Sequence, residues 1–380
     1  MKTKEDNSNI VKGFKDFTGK KAEKRKNILE IIKNIFEKYN FEKVETPIIE
    51  YEKFLKKQNS QDEVISDIFK LKDKGKRNLA LRYEFTFQLK RISKNKKLPY
   101  KRYEIGEIFR DEPVQGNRLR QFVQCDIDVV GSSLKDEAEI LAITKEILNN
   151  LNVKFKIYFN NRKLLNEILD ELKIKKKQEV LKEIDKLDKL SEKEIKKNLK
   201  KYNAEKILDI IKQKENYFKK YEFYKEIQEL KSACKDYNVE LIFSPSLARG
   251  LSYYTGSIFE IKSDIRETIC GGGSYLVDET PSTGISFGLD RLELVSKLNL
   301  ENEKFLVISL GQDKKAIELS QKLRKKNKKV SIYYGKPSKA LEYANSYNLN
   351  KVIFVGEKEV KENKFKIKDM KTGKETFLKL

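Results

Sequence analysis

Arginine is scarce in this chain and crowded. Among 82 basic residues, overwhelmingly lysines, Arg82, Arg91, Arg102, Arg110, Arg118 and Arg120 fall within one short interval. A guanidinium is a flat, permanently charged fork that grips phosphate or carboxylate through paired hydrogen bonds, which a lysine point charge does not. Acceptors sit among these arginines: Glu84 and Thr86 follow Arg82, Glu112 follows Arg110, and Gln124, Asp126 and Asp128 follow Arg120. The chain contains no histidine. That excludes Ser-His-Asp and Cys-His catalysis and histidine-ligated metals, and leaves charge stabilisation by arginines and carboxylates. Cys125, Cys234 and Cys270 are far apart with no CxxC, so neither a disulfide framework nor a thiolate zinc site is indicated.

The element that must position most of these groups is a hairpin over 103–131. From Arg118 onward Leu119, Val123, Cys125, Ile127 and Val129 share one parity, while Arg118, Arg120, Gln124, Asp126 and Asp128 share the other. This alternation predicts a strand with an apolar back and an ionised front. RYEIGEIFR reads as its partner strand, and 113–117, with Pro113 and Gly116, as the turn. On pattern alone a half-exposed hairpin with a solvated charged face is the simpler reading; the concentration of arginine weighs toward a site. Upstream, 69–81 reads as a hairpin turning at 73–76. It leads into LALRYEFTFQLKR, where the alternation predicts Arg82, Glu84 and Thr86 on one face of a strand.

Residues 20–39 carry Ile28, Ile31, Ile32, Ile35 and Phe36 at helical spacing, and FEKVETPIIEY reads as a short strand entering Pro47. Neither Gly nor Pro occurs from 132 to 244. Within that run Ile140, Ile143, Ile147 and Leu151 stripe one helix, FKIYF reads as a strand, and Leu164, Leu165, Ile168, Leu169 and Leu172 stripe another helix. The stretch 161–236 reads as a helical insertion; its apolar positions do not hold the 3.5 period of a coiled coil. Gly271, Gly272 and Gly273 permit close backbone approach to a ligand, or a tight turn. Gly284, Gly288 and then Arg291 at the start of a helical pattern point to phosphate contact. From about Glu303 a βαβαβ alternation begins and closes with a hairpin around 371–374, a small α/β domain.

A length of 380 residues suggests two or three domains, and 38% hydrophobic content suffices for cores. The net charge of +23 favours polyanionic partners such as nucleic acid, or is a lysine-rich proteome's habit. No apolar run approaches the roughly 18–20 residues of a membrane span. The amino terminus, with Glu5 and Asp6, fits neither a secretory signal nor a transit peptide, so a cytoplasmic location is expected.

In family order, VKGFKDF, VETPIIE, FRDE with RLRQFVQCDIDVVG, and GLDRL resemble the motifs of class II aminoacyl-tRNA synthetases. LARGLSYYTGSIFE, with NNR at 160–162 and IDKLDK at 184–189, is similar to the signatures of the histidyl-tRNA synthetase family. The tail with ALEYANSYNLNKVIFVGEKEV looks like that family's anticodon-binding domain. The resemblance implies an α+β fold, with a six-stranded antiparallel sheet core flanked by helices. Its domains would be a catalytic domain over 1–160 and 237–300, a helical insertion over 161–236 and an anticodon-binding α/β domain over 303–380.

It further implies a homodimer joined partly through VETPIIE, and histidine, ATP with Mg2+, and tRNA(His) as partners. Histidine would attack the α-phosphate of ATP, and the tRNA 3′-terminal adenosine would then accept the histidyl group. By matching positions, Arg110 would hold the α-phosphate, Glu112 the adenine, Phe122 would stack on that base, and Arg118 and Arg291 would meet the outer phosphates. Arg249 matches the family's additional catalytic arginine. Glu84, Thr86 and Gln124 match the positions for the α-amino group and Asp128 with Tyr254 those that read the imidazole, with Arg249 and Tyr253 also expected to bind histidine.

The chain departs from the family where LRYE, with Tyr83, replaces LRPE, where Ser252 replaces Asp in RGLDYY, and where Ser274 replaces Arg in GGGRYD. Loss of an acid and a base from neighbouring motifs suggests an ion pair abandoned jointly. Pro113 and Val114 also depart from the family's loop. The absence of histidine would let a histidine-charging enzyme be made during histidine shortage, or reflects drift. The competing expectations are the synthetase-like regulatory subunit of ATP phosphoribosyltransferase, which generally lacks the carboxy-terminal domain, and another class II synthetase.

Overall fold

The computed structural model describes residues 9–58, 66–114, 118–248, 253–265, 267–298 and 303–378. They divide into two compact units, Met1–Leu298 and Asn299–Leu380. The first is built on a mixed sheet of eight strands rather than a purely antiparallel sheet of six. Its six central strands run antiparallel in the order Tyr100–Phe109, Gln121–Val130, Thr280–Gly288, Cys270–Val277, Tyr254–Lys262 and Lys156–Asn161. Two-residue strands, Glu42–Lys43 and Ile242–Phe243, add parallel edges.

The expected hairpin forms, with the strand beginning at Gln121 rather than Arg118. Its parity is real: Cys125, Ile127 and Val129 enter the core beneath the helices Gly19–Lys38 and Leu134–Asn150, together with Ile28, Ile32, Phe36, Ile140 and Ile143. The helix Leu134–Asn150 starts at a capping box. The Asp136 carboxylate accepts from the Ser133 backbone N–H at 2.8 Å, satisfying a donor the helix cannot.

The helices Arg162–Glu171, Lys177–Ile184, Glu192–Leu199 and Tyr224–Asp236 occupy the expected helical stretch. Their apolar faces, from Leu164 and Leu165 to Cys234, join the same core as sheet residues Phe159 and Ile258. The helix Tyr224–Asp236 packs on Leu134–Asn150. The hairpin Lys70–Lys72 and Asn78–Leu81 forms as expected and pairs with Ile49–Tyr51 in a separate three-stranded sheet.

Residues 82–88 are not a strand. The Arg82 N–H donates to Ile48 O at 2.8 Å, and Arg82 O accepts from the Phe109 N–H at 3.0 Å. One bond goes to the residue before the strand Ile49–Tyr51 and the other to the end of the strand Tyr100–Phe109, so no ladder continues past Leu81. Tyr83, Phe85 and Phe87 are buried, but so are Arg82, Glu84 and Gln88 beside them, so burial does not follow the alternation either.

In the second unit, three parallel strands, Lys329–Tyr334, Lys304–Ser309 and Lys351–Val355, are extended by the antiparallel pair Lys366–Asp369 and Glu375–Phe377. Asp313–Lys325 and Pro337–Ser346 are the crossover helices. The expected βαβαβ unit and closing hairpin are both present.

Candidate active site

The front of the hairpin faces a cavity of about 370 Å³. Glycines on neighbouring strands make the room. Gly284 stands opposite Asp128 in the ladder, and a Cβ there would run into the Asp128 carboxylate; a Cβ at Gly272 would strike the Gly284 carbonyl. The three glycines therefore lie within a continuous strand and not a turn; Gly272 and Gly273 allow close packing between strands, and Gly271 and Gly272 line the cavity.

At the closed end of the cavity the groups are ionisable and buried. Gln124 Nε2 donates to Asp126 Oδ1 at 3.1 Å and to Ser286 Oγ at 2.7 Å. Asp128 faces Arg102 across the hairpin, Oδ2 lying 2.7 Å from Nη2, and accepts a hydrogen bond from the Tyr275 hydroxyl. Burial pushes the Asp126 carboxyl up to about 7, reinforced by Asp128. It also raises Asp128, against the opposing pull of Arg102 and Tyr275. Glu84, on the loop after Arg82, is pushed up to about 8 by burial, with Arg110 pulling the other way. Tyr253 stacks edge-on against Tyr275 at 5.5 Å and beside Tyr254 at 4.9 Å, walling this end.

Toward the open end, the Arg110 guanidinium lies over the Tyr83 ring at 4.4 Å and the Phe122 ring at 5.4 Å. Its Nη2 donates to Gln124 Oε1 at 3.1 Å, so Arg110 stands at the junction of the two ends. Arg118 Nη1 donates to Glu112 Oε2 at 3.3 Å, and Arg291 Nη1 to Thr268 O at 2.6 Å. Arg120 braces this end from outside the cavity: Nε donates to Glu112 O at 3.1 Å, and its backbone N–H to Gly13 O at 2.8 Å. Gly13, at φ +90°, packs so tightly on the Arg120 stem that a Cβ would collide, which gives the glycine of VKGF its reason.

Of the residues expected in the site, Glu84, Thr86, Arg110, Glu112, Arg118, Phe122, Gln124, Asp128, Tyr253, Tyr254 and Arg291 all line this cavity. Arg249 and Ser252 lie outside the described residues. Ser274, the other half of the supposed lost ion pair, donates through Oγ to the buried Glu137 at 2.6 Å. Arg82 does not reach the cavity. It is a strut, donating to Glu107 O at 2.7 Å and Thr46 O at 2.8 Å, and Gly106 is open because a Cβ there would meet its guanidinium.

Sequence reasoning assigned no role to Asp126, Tyr275, Ser286, Asp290 or Asp185, which also line the cavity. The parity shared with Gln124 and Asp128 could have drawn attention to Asp126. Asp185 lies in IDKLDK, and Tyr275 and Ser286 reach the site only through strand order.

A sheet carrying buried acceptors at one end of a cavity and arginine forks at the other is the site of a class II-type aminoacyl-tRNA synthetase. The sequence model of the histidyl-tRNA synthetase family matches residues 13–292, and that of the anticodon-binding domain 304–380. The chain is 34% identical to histidine–tRNA ligase 1 of Bacillus cereus, the alignment covering 96% of each. To histidine–tRNA ligase of Methanococcus aeolicus it is 32% identical over 98% of each. The crystal structure of histidyl-tRNA synthetase from Nostoc sp. PCC 7120 superposes with a TM-score of 0.84 at 26% identity, covering 98% of this chain and 97% of that one. A Bacillus halodurans structure described as ATP phosphoribosyltransferase regulatory subunit/histidyl-tRNA synthetase shares the fold, with a TM-score of 0.79 at 19% identity, covering 93% of this chain and 99% of that one. The chain belongs to the histidyl-tRNA synthetase family. Its activity is that of a histidine–tRNA ligase: histidine is activated with ATP and transferred to tRNA.

Proposed function

We propose that the cavity is divided along the hairpin, with histidine at the closed end, ATP at the open end and Arg110 between them. Glu84, Thr86 and Gln124 accept from the α-ammonium, and Asp128, with Tyr253 and Tyr254 around it, receives the imidazole N–H. Phe122 stacks on adenine, Glu112 accepts from its amino group, and Arg118 and Arg291 hold the outer phosphates. The observation that supports this division is that every described residue assigned to either ligand lines one cavity, with buried acceptors at one end and arginines at the other.

The histidine carboxylate oxygen attacks the α-phosphorus, the bond to the β-phosphate oxygen breaks, and pyrophosphate leaves. The adenosine 3′-hydroxyl then attacks the acyl carbon, and AMP leaves with the carboxylate oxygen. Arg110 and Arg249 stabilise negative charge growing on the α-phosphate. Mg2+ bound to the outer phosphates would draw off charge from the leaving pyrophosphate. Among the described residues no cluster of three or more acidic or sulfur ligands could hold a metal alone. Asp290, whose Oδ1 pairs with Arg25 at 2.7 Å and whose Oδ2 is buried without a hydrogen-bond partner, lines the cavity and would offer that one oxygen to such an ion.

Residues 161–236 act as an insertion in the catalytic domain, and 303–380 bind the anticodon. Exposed Ile48, Ile49 and Tyr51 support a homodimer contact through VETPIIEY. No helix of the described residues is long and apolar enough to cross a membrane, in keeping with a cytoplasmic enzyme.

Histidine-dependent exchange of pyrophosphate into ATP tests this reading. Exchange driven by histidine and abolished for the most part in Arg249→Lys, with ATP binding retained, is the expected result. Near-normal exchange in that variant refutes the role of Arg249, and histidine binding without exchange would mark a regulatory protein.

A further inference from the structure

We infer that Arg102 is a positioning residue for amino-acid selection, one buried guanidinium that ties the amine-binding loop to the ring-reading carboxylate. The inference rests on assigning Glu84 and Thr86 to the α-ammonium and Asp128 to the imidazole. Arg102 lies in the strand Tyr100–Phe109 directly across from Asp128, is 0% exposed, and is not part of the cavity wall. It therefore cannot touch substrate and must act through its neighbours.

Two of those neighbours matter. Nη2 lies 2.7 Å from Asp128 Oδ2, and the same nitrogen donates to the Phe85 carbonyl at 3.1 Å. Phe85 is the residue between Glu84 and Thr86, and is itself fully buried. One guanidinium nitrogen thus links the loop holding both amine acceptors to Asp128, through a hydrogen bond to the Phe85 carbonyl and an ion pair with the carboxylate. From its other side Asp128 is held by the Tyr275 hydroxyl, and bare Gly284 leaves space for its carboxylate. Fixing the separation of the two ends gives the closed end of the cavity the length of a histidine, with its ammonium at one stop and its ring at the other.

Charge supports the same role. A buried arginine is costly to desolvate, and here it sits among carboxylates: Asp128, Asp126 on the same strand, and Glu104 at 3.9 Å. The cation favours the ionised form of Asp128 against the effect of burial, where the ring N–H needs an acceptor. A lysine would supply the charge, but its shorter flexible stem would not hold a nitrogen between the two partners in the same fixed geometry.

The test measures KM for histidine and for ATP in pyrophosphate exchange, normalised to titrated active sites, for Arg102→Lys, Asp128→Asn and the double variant. Arg102→Lys should raise the histidine KM roughly 10- to 100-fold, the loss expected for a hydrogen bond to a charged group, with the ATP KM changed less than about twofold. In the Asp128→Asn background the same substitution should add much less, because the two residues act as a unit. A histidine KM for Arg102→Lys within about twofold of the parent, or an equal rise in both KM values, would overturn the inference. Should Arg102→Lys not fold, Arg102→Gln, which buries no cation, is read by the same criteria. If Asp128→Asn leaves the histidine KM unchanged, the assignment of Asp128 fails instead, independently of Arg102.

Discussion

The two ends of one hairpin meet water differently. At the closed end the Arg102 side chain is fully buried and that of Asp128 is 5% exposed, whereas at the open end the Arg118 and Glu112 side chains are 48% and 25% exposed. The same residue chemistry, cation against carboxylate, therefore works in two regimes. A buried pair is stiff, since leaving either charge alone is costly, and it suits a small ligand of fixed length. A half-exposed pair such as Arg118 and Glu112 exchanges partners at little cost, and suits a triphosphate that must arrive with its counterion and leave in part as pyrophosphate. Arg110 belongs to both regimes, in contact with the rings of Tyr83 and Phe122 while bonded to Gln124.

The contrast is broken most severely at the junction. Arg110→Ala should lower the exchange rate by about 10²- to 10³-fold, as for loss of one preorganised donor to developing charge. A drop confined to KM for either substrate would remove Arg110 from the chemistry.

At the closed end the contrast is sharpened by protons. Burial holds a proton on Glu84 up to about pH 8, where the unfolded chain would release it near 4.5. Its contribution to stability is thus present below that lower value and lost as pH rises toward 8. An arriving ammonium favours the ionised form, so histidine binding at pH 7 should release a proton from this group, read by calorimetry in buffers of different ionisation enthalpy. In Glu84→Gln the release should fall to whatever Asp126 and Asp128 supply, and the histidine KM should rise on the order of tenfold. An unchanged proton count would show that Glu84 is already ionised.

The smallest effect is expected at the open end. Arg118→Ala should raise the ATP KM only a few-fold, because a half-exposed cation is screened and replaceable. A 100-fold rise would mean that this end closes around the nucleotide.

Much of this contrast is legible in the sequence, for a local reason. Helix stripes such as Ile28, Ile32 and Ile35, and the parity of Cys125, Ile127 and Val129 against Gln124, Asp126 and Asp128, are properties of consecutive residues, and they fold as read. The extended run at Arg82, Glu84 and Thr86 is misread because both sides of it are largely buried without a ladder; the backbone bonds of Arg82 go to Ile48 and Phe109, which flank and end strands of different sheets. Arg102, Tyr275 and Gly284 around Asp128 are brought together by strand order, which no spacing within one strand encodes. The described residues assigned to ligands from the family motifs converge in the cavity, while the struts behind them, Arg82, Arg102 and Arg120, became visible only with the fold.

The division of the hairpin is tested most directly by measuring both KM values for Asp128→Asn and Arg118→Ala side by side in histidine-dependent pyrophosphate exchange. A crossed pattern is predicted, in which Asp128→Asn raises KM for histidine and leaves ATP nearly untouched while Arg118→Ala does the reverse. If both variants raise the same KM, the two ends do not serve different ligands and the account is contradicted.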